Sequence, residues 1–364
     1  MPETTRPDPK PAIAGFDELF SSNMLIVTGK GGVGKTTGAA TLALAGVASG
    51  RRTLLVEVEG RQGFSRTFGT QPWDYTEREF RPGLWGASID AAESVYEYLE
   101  LFYGLKRMQW VMERSNALDF VTTAAPGLRD LLLVGKLYEI EQRRRPDGRR
   151  QYDLIVVDAP PTGRIIPFLQ APEGVTEIVR VGPIRRQAGQ IKEMLTDPGR
   201  VQAVLVTLLE EMPVRETSEG IAALRGADIA IGPVLANQVV TPRLDPATLE
   251  TLLPGGAEGL RERVVATGAR MSGRTAELAL ELARAHTDRL AYQAELWSQL
   301  AEGCGVPVLS LPLLTGATFD ATDLDVLADV LALQLGEDGP RATEELDDDT
   351  IAALVGRSGA EVDA

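Results

Sequence analysis

Cysteine and histidine are nearly absent: among 364 residues there is one of each, Cys304 and His286. A lone cysteine excludes an internal disulfide framework and a cysteine-only metal centre within one chain. His286 falls mid-helix in pattern, with no second ligand type clustered beside it. That leaves no basis for histidine-led catalysis or metal ligation. Long apolar runs are missing as well. No stretch of 18 or more apolar residues occurs, so no transmembrane segment is expected. The opening residues, MPETTRPDPKPAIAG, lack the basic and apolar regions of a secretory signal, and a cytoplasmic location is expected. Positive charge is in deficit. The 37 Lys and Arg against 52 Asp and Glu give a net charge of −15, which argues against a nucleic-acid partner or wholesale binding to anionic lipid. Part of the excess is local: residues 337–364 hold nine acids against Arg341 and Arg357. The stretch 336–364 therefore reads as a solvated acidic tail, and the proline-rich residues 1–17 as a flexible leader.

Between these ends, residues 18–335 alternate strands with helices. This is the pattern of an α/β fold with a mostly parallel sheet covered by helices on both faces. Strands are expected at Met24–Thr28, Thr53–Val58, Gly86–Ile89, Asp153–Asp158, Thr176–Val181, Val201–Thr207, Ile231–Asn237 and Val306–Leu311. Several are near-continuous apolar runs, as burial on both faces demands. Two helical insertions, about 90–150 and 243–302, interrupt the alternation and are expected to form a helical lobe together. The first contains VYEYLELFYGLKRMQWVMER, which suits either a packed lobe core or a hydrophobic cargo groove. The run Arg143–Arg150, RRRPDGRR, reads as a basic surface turn or an anionic docking patch.

The chemistry begins at GKGGVGKT, Gly29 to Thr36, which fits the phosphate-loop pattern G-x-x-x-x-G-K-[ST] and stands between a strand and a helix. Gly29, Gly31, Gly32 and Gly34 let the backbone, Val33 included, wrap phosphates with its amides pointing inward. The following helix offers its N-terminus to the same anion. Lys35 is expected to reach the β and γ phosphates, the Thr36 hydroxyl to ligate Mg²⁺, and Thr37 to contact the α phosphate. A second element is YDLIVVDAPPTGR. Its apolar strand ends at Asp158, where a carboxylate can hold a water of the metal, and the Pro-Pro-Thr-Gly after it has the look of a switch loop.

The second lysine of the loop, Lys30, gives the deviant Walker A form, and the order of motifs resembles the arsenical-pump and tail-anchored-protein-targeting ATPase family. The likeness extends through DAPPTGR (Asp158–Arg164), VTLLEEMPVRET (Val206–Thr217), PVLANQVV (Pro233–Val240) and VPVLSLPLLTG (Val306–Gly316), and looks closest to its actinobacterial members. It implies a P-loop NTPase fold and a Mg-dependent ATPase. Its dimer, with itself or with a paralogue, would rearrange on ATP binding and hydrolysis to handle a hydrophobic, membrane-associated or lipid-associated client. It implies that Lys30 reaches across the dimer to the partner's nucleotide, that Asn237 reads adenine, and that the loop from Pro312 covers the base. The family's first switch, T-D-P-A-H, is here VEGRQG. Glu59 stands where an aspartate positions the attacking water, with Glu57 or Gln62 able to share the task. The second switch, usually ending in histidine, ends in Arg164. Two alternatives remain: a nucleotide-gated scaffold or chaperone with little turnover, and a positioning ATPase of the MinD/ParA class, which the acidic tail opposes.

Overall fold

The computed structural model describes residues 13, 15–60, 62–90, 93–94, 126–178, 182–242, 254–316 and 318–336. In chain order its first elements are α1 (Phe16–Leu19), β1 (Met24–Gly29), α2 (Lys35–Ala48), β2 (Thr53–Val58), α3 (Gly63–Thr67), β3 (Arg78–Arg81) and β4 (Leu84–Ile89). There follow α4 (Pro126–Gln142), β5 (Leu154–Asp158), α5 (Thr162–Ile178), α6 (Pro183–Thr196), β6 (Val201–Leu208) and α7 (Glu211–Gly226). The last are β7 (Ile231–Val239), α8 (Gly256–Ala266), α9 (Gly273–Cys304), β8 (Val308–Pro312) and α10 (Ala321–Leu335).

The strands form one eight-stranded sheet in the order β3-β4-β2-β5-β1-β6-β7-β8. All pairings are parallel except that of β3 with β4. Side chains alternate between two cores. Met24 and Ile26 join Leu54, Val56, Ile155 and Val157 in the core beneath α4, α5, α6 and α7. Leu25 and Val27 join Leu55, Leu154 and Val156 in the core beneath α2 and α10. The uninterrupted apolar strands follow from this arrangement, because the inner strands are covered on both faces.

One expected strand is not formed, and two further features stand beside the expectations. Thr176–Ile178 lie in the last turn of α5, not in a strand, and 179–181 fall outside the described residues. The β-branched run there is overruled by the helix packed against α4 and α6. The edge strand β3 was not anticipated, since REFR has exposed Arg78 and Glu79 and no apolar alternation to announce it. Ile13 is buried and Phe16 packs against the second core, within the stretch expected to be a flexible leader.

The helices of the two insertions have different neighbours: α4 packs on α5 and α6, whereas α9 packs on α7 and α8. The aromatic run from Val95 to Arg114 lies outside the described residues, as does the acidic tail from residue 337. The RRRPDGRR run is a surface turn in which Arg144 and Arg149 are exposed, while two of its arginines pair with acids. Arg143 pairs with Glu139 and Glu77 at 2.6 and 2.5 Å, and Arg150 with the buried Glu141 at 2.9 Å. Among the described residues no helix is long and apolar enough to cross a membrane. Cys304 is buried, its Sγ directed at the Val306 carbonyl at 3.1 Å, and His286 lies on α9.

Candidate functional site

β1 lies between β5 and β6, so the connections leaving its C-terminal edge and those of its neighbours part company there and open a crevice, the usual ligand position in such sheets. The loop Gly29–Gly34 fills that crevice. Gly29 and Gly34 have φ of 152° and 89°, and a Cβ on either would run into the Val206 carbonyl or the Asn237 amide. Only glycine meets both demands. Gly31 and Gly32 are exposed at the tip, while Val33 is buried. Lys35 starts α2, is buried, and donates to the Lys30 carbonyl at 3.3 Å.

The Thr36 hydroxyl donates to Asp158 Oδ2 at 2.7 Å. Asp158 ends β5 and is buried. Two further bonds fasten the segment after it to β1: Ala159 N–H to the Val27 carbonyl at 3.0 Å, and the Thr28 hydroxyl to the Pro160 carbonyl at 2.7 Å. A cavity of about 290 Å³ opens beside Thr36 and Thr37, with Ala40 below and Arg66, Thr67 and Phe319 around it. Asn237 is buried. Its Nδ2 donates to the Val33 carbonyl at 3.0 Å and its Oδ1 accepts from Gln238 N–H at 2.9 Å, so the amide braces the phosphate loop. These contacts use half of the four an amide can make. Pro312 closes β8, buried and in register with Val239.

Lys30 points at α7. Its Nζ is 3.0 Å from Glu216 Oε2, and Glu216 Oε1 accepts from the Thr162 hydroxyl at 2.5 Å. One carboxylate thus joins the phosphate loop to the Pro-Thr-Gly of the second switch. The Thr162 hydroxyl first, and the Lys30 ammonium with it, hold the Glu216 carboxyl below the usual glutamate range against the opposing effect of burial.

Glu59 does not stand alone. Its carboxylate lies 2.9 Å from Arg164 Nη1 and 3.6 Å from Arg129 Nη2, and Arg164 also reaches Asp130 at 3.5 Å. The two departures from the usual motifs, Glu59 in the first switch and Arg164 in the second, therefore meet. Burial raises the Asp130 carboxyl, with Arg164 pulling the other way. Glu57 and Gln62 face their own loop. Both Glu57 oxygens accept backbone N–H groups, from Gln62 at 2.7 Å and Gly63 at 2.6 Å. Gln62 grips the Trp73 backbone, donating to its carbonyl at 2.8 Å and accepting from its N–H at 2.9 Å.

Lys35, Thr36, Asp158 and Asn237 converge on the phosphate loop, Lys30 sits at its rim, and Glu59 is turned toward Arg164. Glu216 was not singled out from the sequence, although it lies inside VTLLEEMPVRET. Its only signal there was an acid one residue before a threonine. Among the described residues no three His, Cys, Asp or Glu side chains gather into a metal cage.

A model of the anion-transporting ATPase family matches residues 22–191. ATPase BagA of Mycobacterium tuberculosis is 38% identical over 330 residues, covering 89% of this chain and 95% of the relative. ATPase GET3 of Candida glabrata is 24% identical over 259 residues, covering 61% of this chain and 73% of that protein. ATPase ARSA1 of Chlamydomonas reinhardtii is 23% identical over 312 residues, but the match takes in only 39% of its length.

Proposed function

The chain belongs to the anion-transporting ATPase family, and from that premise we propose that it couples Mg-ATP hydrolysis to rearrangement of a dimer, formed with itself or with a paralogue, that handles a hydrophobic or membrane-associated client. The protein is an ATPase that binds nucleotide. In this reading the amides of Gly29–Gly34 and the N-terminus of α2 hold the phosphates, Lys35 neutralises the β and γ charge, and Thr37 meets the α phosphate. Asn237 and the loop from Pro312 border the base.

The donor set suits magnesium. The Thr36 hydroxyl and the Asp158 carboxylate are hard oxygen donors 2.7 Å apart, and Mg²⁺ is usually held by one or two carboxylates together with substrate phosphates rather than by a protein cage. The ion would offset charge on the phosphate oxygens during transfer to water.

The observation that carries the dimer reading is Lys30. It is one-third exposed at the rim of the loop, and its side-chain partner Glu216 is itself one-third exposed and bonded to the second switch. A change at the γ phosphate that moves Thr162 also loosens the hold on Lys30, and an exposed lysine so released is available to a second subunit. The client reading draws on α9, where Leu278, Leu282 and Tyr292 are exposed at spacings that put them along one side of the helix. The test is Lys30→Ala. ATP affinity should be kept while turnover or ATP-dependent association, followed by sedimentation, is reduced. Unchanged turnover together with unchanged assembly would refute the trans-acting role.

A second reading, a nucleotide-gated scaffold with little turnover, is favoured by one observation: the Glu59 carboxylate is engaged by Arg164 and Arg129. Steady-state phosphate release separates the two.

A further inference from the structure

Glu57 is a buried carboxylate, 1% exposed, that the phosphate chemistry above does not use. It stands on β2 directly beside Asp158 of β5 in the parallel register. The chain after it turns back sharply. Glu59, Gly60 and Gln62 have φ of 72°, 62° and 56°. Two of these three left-handed residues carry side chains, and such positions persist only where the surroundings over-determine them. Glu57 supplies that constraint, because its two oxygens take the N–H groups of Gln62 and Gly63 at 2.7 and 2.6 Å.

The consequence falls on Thr36. A Cβ on Gly63 would lie 3.2 Å from Thr36 Cγ2 and 3.3 Å from Glu57 Oε1. The backbone that Glu57 holds is therefore pressed against the residue whose hydroxyl meets Asp158. Within the same turn Glu59 is aimed at Arg164 of the second switch at 2.9 Å. One carboxylate thus sets the distance between the first switch and the phosphate loop, and with it the direction in which Glu59 leaves the chain.

We propose that Glu57 is a positioning residue for ATP hydrolysis: it fastens the first-switch loop against Thr36 and so fixes where that loop meets the γ phosphate. This rests on the reading of Gly29–Thr37 as the ATP site. Glu57 touches neither substrate nor metal; it acts through the backbone of Gln62 and Gly63. Substitution should therefore lower kcat far more than it raises KM, since a shift of about an ångström in a reacting geometry costs on the order of 100-fold in rate.

The experiment compares wild type, Glu57→Gln and Gly63→Ala as full-length protein. It measures ATP affinity, kcat, KM, thermal stability and hydrogen exchange at the amides of Gln62 and Gly63. Glu57→Gln keeps the volume but turns an N–H₂ toward one of the two amides. Gly63→Ala keeps the Glu57 side chain but crowds both Thr36 and the Glu57 carboxylate, pushing the loop away from them. Supporting results are a kcat lowered roughly 10- to 100-fold in both variants, KM and ATP affinity within about threefold of wild type, and faster exchange at the two amides in Glu57→Gln. Wild-type kcat in both variants, or unchanged exchange in Glu57→Gln, overturns the proposal. Parallel loss of ATP affinity and of folding stability also overturns it, since that marks Glu57 as a part of the core only. Failure of the wild type itself to bind ATP is a different result and strikes the reading of the site instead.

Discussion

The phosphate loop and the first-switch loop lie side by side and use the same backbone conformation, but they reach it in opposite ways. In the phosphate loop the left-handed positions are Gly32 and Gly34, for which φ of 89° carries no side-chain penalty. In the switch loop they include Glu59 and Gln62, at φ of 72° and 56°, where a side chain makes the same conformation costly. The first loop is shaped by its own glycines between the strand before it and the helix after it, with Asn237 bracing it at Val33. The second is held from outside, by Glu57 at its base and by the Gln62 grip on Trp73, whose ring stacks on Phe64 at 5.3 Å. A loop that stores strain behind a few side-chain bonds is suited to moving when a ligand competes for its position, whereas a loop built of glycine is suited to staying.

The largest effects should come from the glycine-built loop. Lys35→Ala removes the buried ammonium and should abolish ATP binding with the fold intact. Gly34→Ala should do the same, because its Cβ meets the Asn237 amide at a left-handed φ. Equilibrium binding with a fluorescent ATP analogue reads both, and normal affinity in either variant would remove the phosphate-loop half of the contrast.

Next comes Glu59 in the held loop. Glu59→Gln keeps length and hydrogen-bonding capacity but removes charge, and turnover should fall by about 10²-fold with ATP binding retained. Glu59→Asp, the residue usual in related first switches, should hydrolyse at least as well as wild type while losing reach to Arg164. Steady-state phosphate release at the wild-type rate in both would mean that Glu59 serves the ion pair alone.

A smaller effect measures the strain itself. Gln62→Ala deletes the two bonds to Trp73 and keeps the left-handed φ, and should destabilise the fold by roughly 1–3 kcal/mol in denaturant unfolding. Gln62→Gly deletes the same bonds but releases the strain, so it should recover about 1 kcal/mol relative to alanine. Equal stabilities would show that the loop is not strained at this residue.

The smallest effect concerns Glu216. Its folded carboxyl titrates below the unfolded one because of Thr162 and Lys30. The stability it contributes is therefore complete above the ordinary glutamate range and is lost as pH falls through the lower, folded value. Lys30 and Glu216 are each about one-third exposed, so the pair is worth under about 1 kcal/mol. The melting-temperature gap between wild type and Glu216→Gln should hold from neutrality down to about pH 5 and close on further acidification. A gap that widens on acidification would contradict the assignment.

What could be read in advance follows a physical boundary. The phosphate loop, the strand ending at Asp158 and the alternation of strands with helices are local. A glycine at a left-handed turn, a carboxylate at a strand end and an apolar run buried on both faces each leave a mark within a few residues of sequence. The partners of the second kind of residue do not. Glu57 and Asp158 are 101 positions apart and become neighbours through the register of β2 on β5. Glu59 and Arg164 are 105 positions apart, and each looked only like a departure from its own motif until the fold brought the two together. The run Thr176–Ile178 failed for the converse reason, since its local β preference was outweighed by the helix packing around it.

The sequence by itself determined that this protein is a nucleotide-binding ATPase, because the features that announce it, glycines at left-handed turns and a carboxylate closing an apolar strand, are local. Only the tertiary structure decided what Lys30, Glu57 and Glu59 face. Each is a long charged side chain whose position depends on which distant partner, Glu216, the Gln62–Gly63 backbone or Arg164, the sheet order delivers to it.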